Sequence, residues 1–219
     1  MLLYSRVTQL DLTGPFEVLR SVPDTRVRTI GKTTDPVHSE GGLILVPSAT
    51  YDDAPKLDVL FVPGGAGQIE LTRDRDTLAY LHEVGSHARW VTSACTGALL
   101  LGAAGLLRGY RAATHWAFME LLPLVGAIPV EQRVVTDRNR MTGGGVTAGI
   151  DIALTLTAEL AGREIAEMIQ LQLEYDPHPP FQSGHPRVAD RALVNRVRDT
   201  LSARYDERRE QLESIAKSW

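Results

Sequence analysis

The stretch VTSACTGALLLGAAGLL, residues 91–107, predicts a strand that turns into a helix, with the only cysteine of the chain at the turn. Val91 and Thr92 end a β-branched run, small residues flank Cys95, and an apolar segment follows. A strand, a cysteine at a tight turn and a helix form the layout of a nucleophile elbow. The N–H groups at the start of that helix would face the sulfur and favour the thiolate.

The segments around this stretch alternate between strand and helix patterns. Residues 57–62 form a continuous apolar run that Pro63-Gly64-Gly65 ends, and residues 89–93 form another. Two apolar strands joined through a helix indicate a parallel sheet with right-handed crossovers. The chain is therefore predicted to be an α/β protein with a flavodoxin-like open parallel sheet, sandwiched by helices. Further patterns predict helices over 76–88 and 96–107 and a strand over 111–115. Residues 98–107 have almost no polar face, so this part of the helix should be packed on both sides.

The second half of the chain predicts a hairpin, a loop and a long helix. Residues 134–142 have a hairpin pattern, and Thr147 is a plausible N-cap for a helix over 148–160. Residues 176–186 carry four prolines and are expected to form an extended loop. Residues 188–217 show an amphipathic helical pattern, whose apolar stripe packs on its own domain or forms a dimer contact. We therefore assign residues 1–186 to one α/β domain and 187–219 to a C-terminal helical extension of it.

Composition excludes several classes of protein. The 219 residues suit one domain, and a formal charge of −4 argues against a general nucleic-acid binder. A single cysteine excludes an internal disulfide framework and fits the cytoplasm, and no apolar run is long enough to cross a membrane. The six histidines are scattered, without metal-ligand spacing, and the glycines match neither a phosphate loop nor a dinucleotide fingerprint. No metal is expected.

Three segments should meet at one edge of the predicted sheet, because ligands of open α/β sheets bind beyond the carboxyl ends of the strands. Cys95, the pair Gly64-Gly65 and His115 each end a predicted strand. The glycine N–H groups would then join those of Cys95 and Thr96 as anion-stabilising donors. The alternatives are an inert buried cysteine, a simple glycine turn, and a His115 that bonds a carbonyl group. Gly143-Gly144-Gly145 is interpreted as a flexible connection.

Asp11 is the candidate acid. It stands between two leucines, just before a helix predicted to open at Gly14-Pro15, where partial desolvation would raise its pKa and suit it for proton transfer. The spacing from Thr8 to Asp11 also fits a capping box, which would make Asp11 a helix cap. Both interpretations fit the sequence equally well.

The chain resembles the DJ-1/PfpI superfamily over roughly residues 2–175. The resemblance lies in Val62-Pro63-Gly64-Gly65, Ala94-Cys95-Thr96-Gly97 and Ala113-Thr114-His115-Trp116, in that order and spacing. Within the superfamily the chain is most similar to the group that hydrates isonitriles. That similarity rests on the segments at 11–15, 95–97, 114–116, 142–145 and 171–175.

The resemblance implies a lyase that adds water to an isonitrile and forms an N-substituted formamide through a thioimidate. It implies Cys95 as nucleophile, with Asp11 as general acid and base and Thr96 as a further functional position. Backbone N–H groups of Gly64, Gly65 and Thr96 would orient the reacting atoms, with His115 and Trp116 as supporting residues. It implies no metal or organic cofactor, and a homodimer whose only other partner is the small substrate.

Two departures from the family pattern keep alternatives open. The first strand of the family looks shortened here, which predicts a native start upstream of Met1. The proteases of the superfamily have a histidine directly after the cysteine, where this chain has Thr96. The alternatives are a glyoxalase- or deglycase-like enzyme or an amidase that uses Cys95 and His115, and a cysteine oxidation sensor. The ligand-sensing domain of an AraC-type regulator is discounted, because residues after 186 fit only one long helix.

Overall fold

A computed structural model describes residues 1–54 and 56–217. The strands are β1 (Ile30–Gly31), β2 (Val37–His38), β3 (Ile44–Leu45), β4 (Ala49–Thr50), β5 (Val59–Val62), β6 (Trp90–Ser93), β7 (Arg111–Ala112), β8 (Ile128–Pro129), β9 (Val134–Asp137) and β10 (Arg140–Gly143). The helices are α1 (Gln9–Leu19), α2 (Gln68–Leu71), α3 (Arg75–His87), α4 (Gly97–Ala103), α5 (Ala148–Ala161), α6 (Arg163–Gln172) and α7 (Arg191–Ala216), with a 3-10 helix over Trp116–Val125.

The central sheet has the strand order β5-β6-β10-β9. Strand β6 runs parallel to both β5 and β10, and β9 pairs antiparallel with β10 as the predicted hairpin. The N-terminal segment extends the sheet, because Leu2 N–H donates to Phe61 O at 2.9 Å and Leu3 N–H donates to Ile30 O at 2.8 Å. Residues 1–3 therefore lie between β5 and β1, and the predicted α/β fold with a mostly parallel sheet is confirmed.

Helix α4 positions the cysteine against this sheet. All of its residues are buried, as its lack of a polar face predicted, and it contacts β5, β6, α3 and the 3-10 helix. Gly97 permits this packing, since a Cβ atom there would lie 2.1 Å from Val62 O. The helix ends at Ala103, four residues earlier than predicted, because residues 104–109 continue as turns.

Several boundaries differ from the predictions. Helix α1 begins at Gln9 rather than at Gly14-Pro15, and Pro15 lies inside it. The strand predicted over 111–115 is only Arg111–Ala112 and pairs with β8, so His115 does not end a strand of the central sheet. Thr147 makes no side-chain capping bond; its hydroxyl accepts a hydrogen bond from Arg133 instead.

The C-terminal helix α7 packs on the 3-10 helix and on α2. Leu212 is fully buried, and Leu201, Tyr205 and Ile215 are partly buried against the core, whereas Val197 is exposed. Much of the apolar stripe therefore packs on its own domain. Residues 173–190 form neither helix nor strand, as the prolines predicted. Residues 218 and 219, which the predicted extension includes, lie outside the described residues, and the domain boundary at 186 stays a prediction.

Candidate active site

Cys95 lies at the turn between β6 and α4, with a left-handed φ of 53°. Two neighbouring segments fix this strained turn, since Cys95 N–H donates to Gly144 O at 2.9 Å and the Thr114 hydroxyl donates to Cys95 O at 2.7 Å. Residue 95 is only 6% exposed, so the sulfur is recessed beneath the surface of the protein.

Gly64 brings three predicted site residues together. A Cβ atom at this position would lie 2.6 Å from Thr96 N, 2.7 Å from Asp11 Oδ2 and 2.8 Å from Cys95 Cβ. No side chain fits among atoms this close, so the glycine is required for the approach rather than only for a turn. The carboxyl ends of β5 and β6 therefore meet the first turn of α1 at a single point.

Asp11 is fully buried, and its interpretation as a helix cap is wrong. Its Oδ2 atom accepts a hydrogen bond from Gly64 N–H at 2.9 Å, and no side-chain cap is present at the start of α1. Burial raises the pKa of Asp11 to about 7, while Gly64 N–H and the Cys95 thiol act in the opposite direction as hydrogen-bond donors. The carboxyl group next to the sulfur can therefore gain or lose a proton near neutral pH.

The Cys95 sulfur is a thiol in this environment, and the expected preference for thiolate is wrong. Burial raises the pKa of Cys95 most, and the charge of Asp11 raises it further. Backbone N–H groups of Val146 and Thr96 and the positive charge of Arg208 lower the pKa, but by less. Ionisation of the sulfur therefore needs an acceptor for its proton, and Asp11 is adjacent.

The predicted backbone donors are already engaged with side chains. Gly64 N–H binds Asp11, and Gly65 N–H donates to the Thr96 hydroxyl at 3.1 Å. These two groups thus hold the side chains of the site in place. The N–H groups that face the sulfur are those of Thr96 and Val146.

His115 and Trp116 begin the 3-10 helix rather than facing the sulfur from a strand end. The Nδ1 atom of His115 accepts a hydrogen bond from Ala117 N–H at 3.2 Å, and burial lowers the pKa of His115 to about 4. Within residues 1–54 and 56–217 no hydrogen bond joins His115 to Cys95. Trp116 lines a cavity of about 150 Å³ with Pro186 and Leu193, among others.

Sequence reasoning missed three contributors to the site. Gly144 and Val146 lie beside the cysteine, so the glycine run interpreted as a flexible connection forms a wall of the site. Arg208 reaches Gly65 from the distant helix α7. Two features of the sequence could have indicated these residues. One is the triple glycine before Val146, and the other is the charge of Arg208 on the apolar helix face formed by Tyr205 and Leu212.

The described residues contain neither a cluster of metal-binding side chains nor a membrane-spanning helix. In the described part of the chain, no three His, Cys, Asp or Glu side chains are grouped closely enough to hold a metal ion. None of the helices there has both the length and the apolar character needed to cross a membrane.

Residues 1–159 match the DJ-1/PfpI family, and the chain belongs to it. The chain is 56% identical to isonitrile hydratase of Pseudomonas putida over 197 residues, which is 90% of this chain and 86% of the relative. A crystal structure of a ThiJ/PfpI family protein from Pseudomonas syringae has 42% identity and a TM-score of 0.93, and the match covers 99% of this chain and 88% of that one. The HTH-type transcriptional regulator GbdR of Pseudomonas aeruginosa is 32% identical over 80% of this chain but only 50% of its own length.

Proposed function

We propose that this protein is an isonitrile hydratase, which converts R–NC and water to the formamide R–NH–CHO. The observation that carries the proposal is the pairing of Asp11, whose pKa is raised to about 7, with the Cys95 thiol, in a chain 56% identical to an isonitrile hydratase. An isonitrile ends in a carbon atom that must accept a nucleophile and a proton. The adjacent thiol and carboxyl groups supply both.

The first half of the reaction adds the thiol across the terminal carbon. Ionised Asp11 takes the proton of Cys95, the sulfur attacks the isonitrile carbon, and Asp11 delivers the proton to the same carbon. The product is the thioimidate R–N=CH–S–Cys95. The turn at Cys95 has the strand-to-helix layout and the left-handed φ expected of a nucleophile elbow, and the N–H groups of Thr96 and Val146 steady charge on the sulfur.

The second half adds water. Asp11 takes a proton from water as the resulting hydroxide attacks the thioimidate carbon, and it delivers that proton to the nitrogen atom. The carbon–sulfur bond then breaks as the carbonyl of the formamide forms, and the hydroxyl proton of the adduct passes through Asp11 to the sulfur. The hydroxyl of Thr96 holds the Gly65 turn through these steps, and all proton transfers use the chain's own side chains and water. The scheme needs neither a metal nor an organic cofactor.

The alternative functions have less support. A glyoxalase-, deglycase- or amidase-type mechanism needs His115 as the base for Cys95, but His115 accepts a hydrogen bond from Ala117 and has a pKa lowered to about 4. An oxidation sensor is favoured by an exposed thiolate, whereas burial raises the pKa of Cys95. The recessed sulfur also favours a linear isonitrile over a peptide carbonyl group.

We further propose a homodimeric, cytoplasmic enzyme.

The direct test is incubation of the protein with a panel of isonitriles of increasing size, with formamides detected by mass spectrometry. We expect turnover with the wild type and loss of at least about 10⁴-fold in the Cys95→Ala variant, because no other group supplies the nucleophile. A thioimidate adduct on Cys95, which adds the mass of one isonitrile to the protein, should form far more slowly in the Asp11→Asn variant, because the amide can neither take the proton of the thiol nor deliver it to carbon. Formamide production by Cys95→Ala at the wild-type rate would contradict the mechanism, and methylglyoxal turnover without isonitrile turnover would contradict the function.

A further inference from the structure

Arg208 is a buried cation whose hydrogen-bond partners are all neutral. The residue is 3% exposed, and its guanidinium group lies over the Phe118 ring, with 4.4 Å from Cζ to the ring centroid. Its Nε donates to Gln68 Oε1 at 2.9 Å, its Nη2 to Gly65 O at 3.1 Å and its Nη1 to Arg204 O at 3.4 Å. A buried guanidinium stays charged, and burying a charge without a carboxylate partner is costly. Helix packing alone does not explain why an arginine is buried at this position.

The guanidinium group joins the helix α7 to the turn that organises the site. Gly65, whose carbonyl it binds, donates its own N–H to Thr96, and the preceding Gly64 donates to Asp11. Arg208 therefore anchors the peptide group that follows Gly65, next to the two peptide groups that donate to these side chains. Its charge also lowers the pKa of Cys95.

Neighbouring arginines on α7 lack this placement. Arg204 pairs with Glu40 at 3.3 Å, and Arg209 pairs with Glu213 at 2.8 Å on the exposed face of the helix. Each of the three guanidinium nitrogens of Arg208 donates a hydrogen bond within the protein, and the residue is buried rather than surface-exposed. The ionisable groups that interact with Arg208 are Tyr4, Glu40, Cys95, His115 and Arg204.

We propose that Arg208 is a positioning residue for the reaction of Cys95, which holds the Gly64-Gly65 turn by its carbonyl and stabilises negative charge on the sulfur from behind that turn. The catalytic role of this effect rests on the proposed hydratase function. The effect of Arg208 on the ionisation of the Cys95 thiol does not rest on that function, because it is a property of the protein without substrate.

The test compares the wild type with Arg208→Met, Arg208→Gln and Arg208→Lys, and with Arg209→Met as the matched control on the exposed face. The first measurement is the rate of Cys95 alkylation by iodoacetamide at pH 8.5, where Asp11 is ionised. The thiol pKa lies above this pH, so the rate follows the thiolate fraction. We expect a loss of about tenfold in Arg208→Met, which corresponds to one pKa unit, and none in Arg209→Met.

The Arg208→Lys variant tests the positive charge of residue 208 separately from its hydrogen-bond geometry. Arg208→Lys keeps the charge, so its alkylation rate should stay within about threefold of the wild type. Its kcat for isonitriles should nevertheless fall, with little change in KM, because a lysine lacks the fork that binds Gln68 and Gly65 together. Thermal unfolding is measured for each variant. If Arg208→Met does not fold, Arg208→Gln carries the same expectation, since it is neutral and can still donate to Gly65.

An alkylation rate in folded Arg208→Met or Arg208→Gln that equals or exceeds the wild-type rate would overturn the inference and leave Arg208 as a helix-packing residue. A slower alkylation without isonitrile turnover in the wild type would support the role of Arg208 toward the thiol and contradict the hydratase function. The two failures are therefore distinguishable.

Discussion

The two ends of the central sheet bury ionisable groups in different settings. At the carboxyl ends of β5 and β6, Asp11 and Cys95 are packed around Gly64 with no room for one more methyl group. At the amino ends lies a groove of about 660 Å³, lined by residues such as Val27, Arg28, Leu57 and Leu160. A cavity of this size thus lies at the end of the sheet that is far from the cysteine.

Burial shifts a pKa at both ends. It raises the pKa of Asp11 to about 7, and it lowers the pKa of the Met1 amino group, which donates to Arg28 O at 2.7 Å, to about 5. Both shifts favour the neutral form. Only Asp11 has a thiol beside it that can exchange a proton with it. The neighbour of a perturbed group, rather than the size of a nearby cavity, therefore marks the reactive end of the sheet.

Among substitutions that keep the cysteine, the largest effect should come from Asp11→Asn. The amide can still accept the Gly64 N–H bond, but it cannot take the proton of Cys95 or deliver it to carbon. We expect kcat/KM for isonitriles to fall by about 10²–10⁴-fold, the contribution typical of general acid–base catalysis. Steady-state kinetics with formamide detection measures this loss. Turnover within threefold of the wild type would place the proton transfer elsewhere.

The same substitution should stabilise the fold at neutral and higher pH. The folded-state pKa of Asp11 lies above its ordinary value of 3.8, at about 7, so ionisation of the unfolded chain makes the wild type progressively less stable as pH rises between these values. The asparagine of the Asp11→Asn variant does not ionise, so the variant does not lose stability in this way. Its advantage in free energy of unfolding should be small near pH 4, grow towards pH 7 and then level off at up to about 4 kcal/mol. Urea denaturation at pH 4, 6 and 8 tests the sign, and a constant difference would contradict it.

A smaller loss is expected from Gly64→Ala. The new Cβ atom would lie 2.6 Å from Thr96 N and 2.7 Å from Asp11 Oδ2, so the site must open by several tenths of an ångström. Such misplacement typically costs about 10²-fold in rate. The matched control is Gly41→Ala, because a Cβ atom at Gly41 has no neighbour within 4 Å. Equal kcat/KM in the two variants would show that the packing around Gly64 is not needed for reaction.

Much of the fold could be predicted because its decisive segments are short, apolar and periodic. Strands β5 and β6 and the buried helix α4 follow from continuous hydrophobic runs, and the hairpin β9–β10 follows from its turn residues. The position of Cys95 between β6 and α4 follows from the same patterns. The placement of Asp11 beside it came from the family resemblance, since its own neighbours also fitted a capping box.

The rest depended on contacts between distant segments. The predicted strand over 111–115 stops at Ala112, because Ala113 N–H donates to the Thr142 hydroxyl and His115 then begins the 3-10 helix. The ionisation state of Cys95 depends on its own burial and on the charge of Asp11, and a local pattern at residue 95 contains neither. Arg208 meets Gly65 across 143 positions of sequence, and helical periodicity places it on a face without identifying what that face covers.

The smallest effect should come from the other end of the sheet. Arg28 lines the groove, and its Nη1 donates to Asp53 O at 3.3 Å in a partly solvated setting. Arg28→Ala removes one exposed hydrogen bond, so the free energy of unfolding should change by no more than about 0.5 kcal/mol. Isonitrile turnover should stay within twofold, because the groove lies at the other end of the sheet from Cys95, and in the described part of the chain no hydrogen bond joins its lining residues to Cys95. A loss of turnover comparable to that of Gly64→Ala would instead show that the two ends of the sheet are coupled. The two ends would then differ in how tightly they are packed, but not in their importance for the reaction.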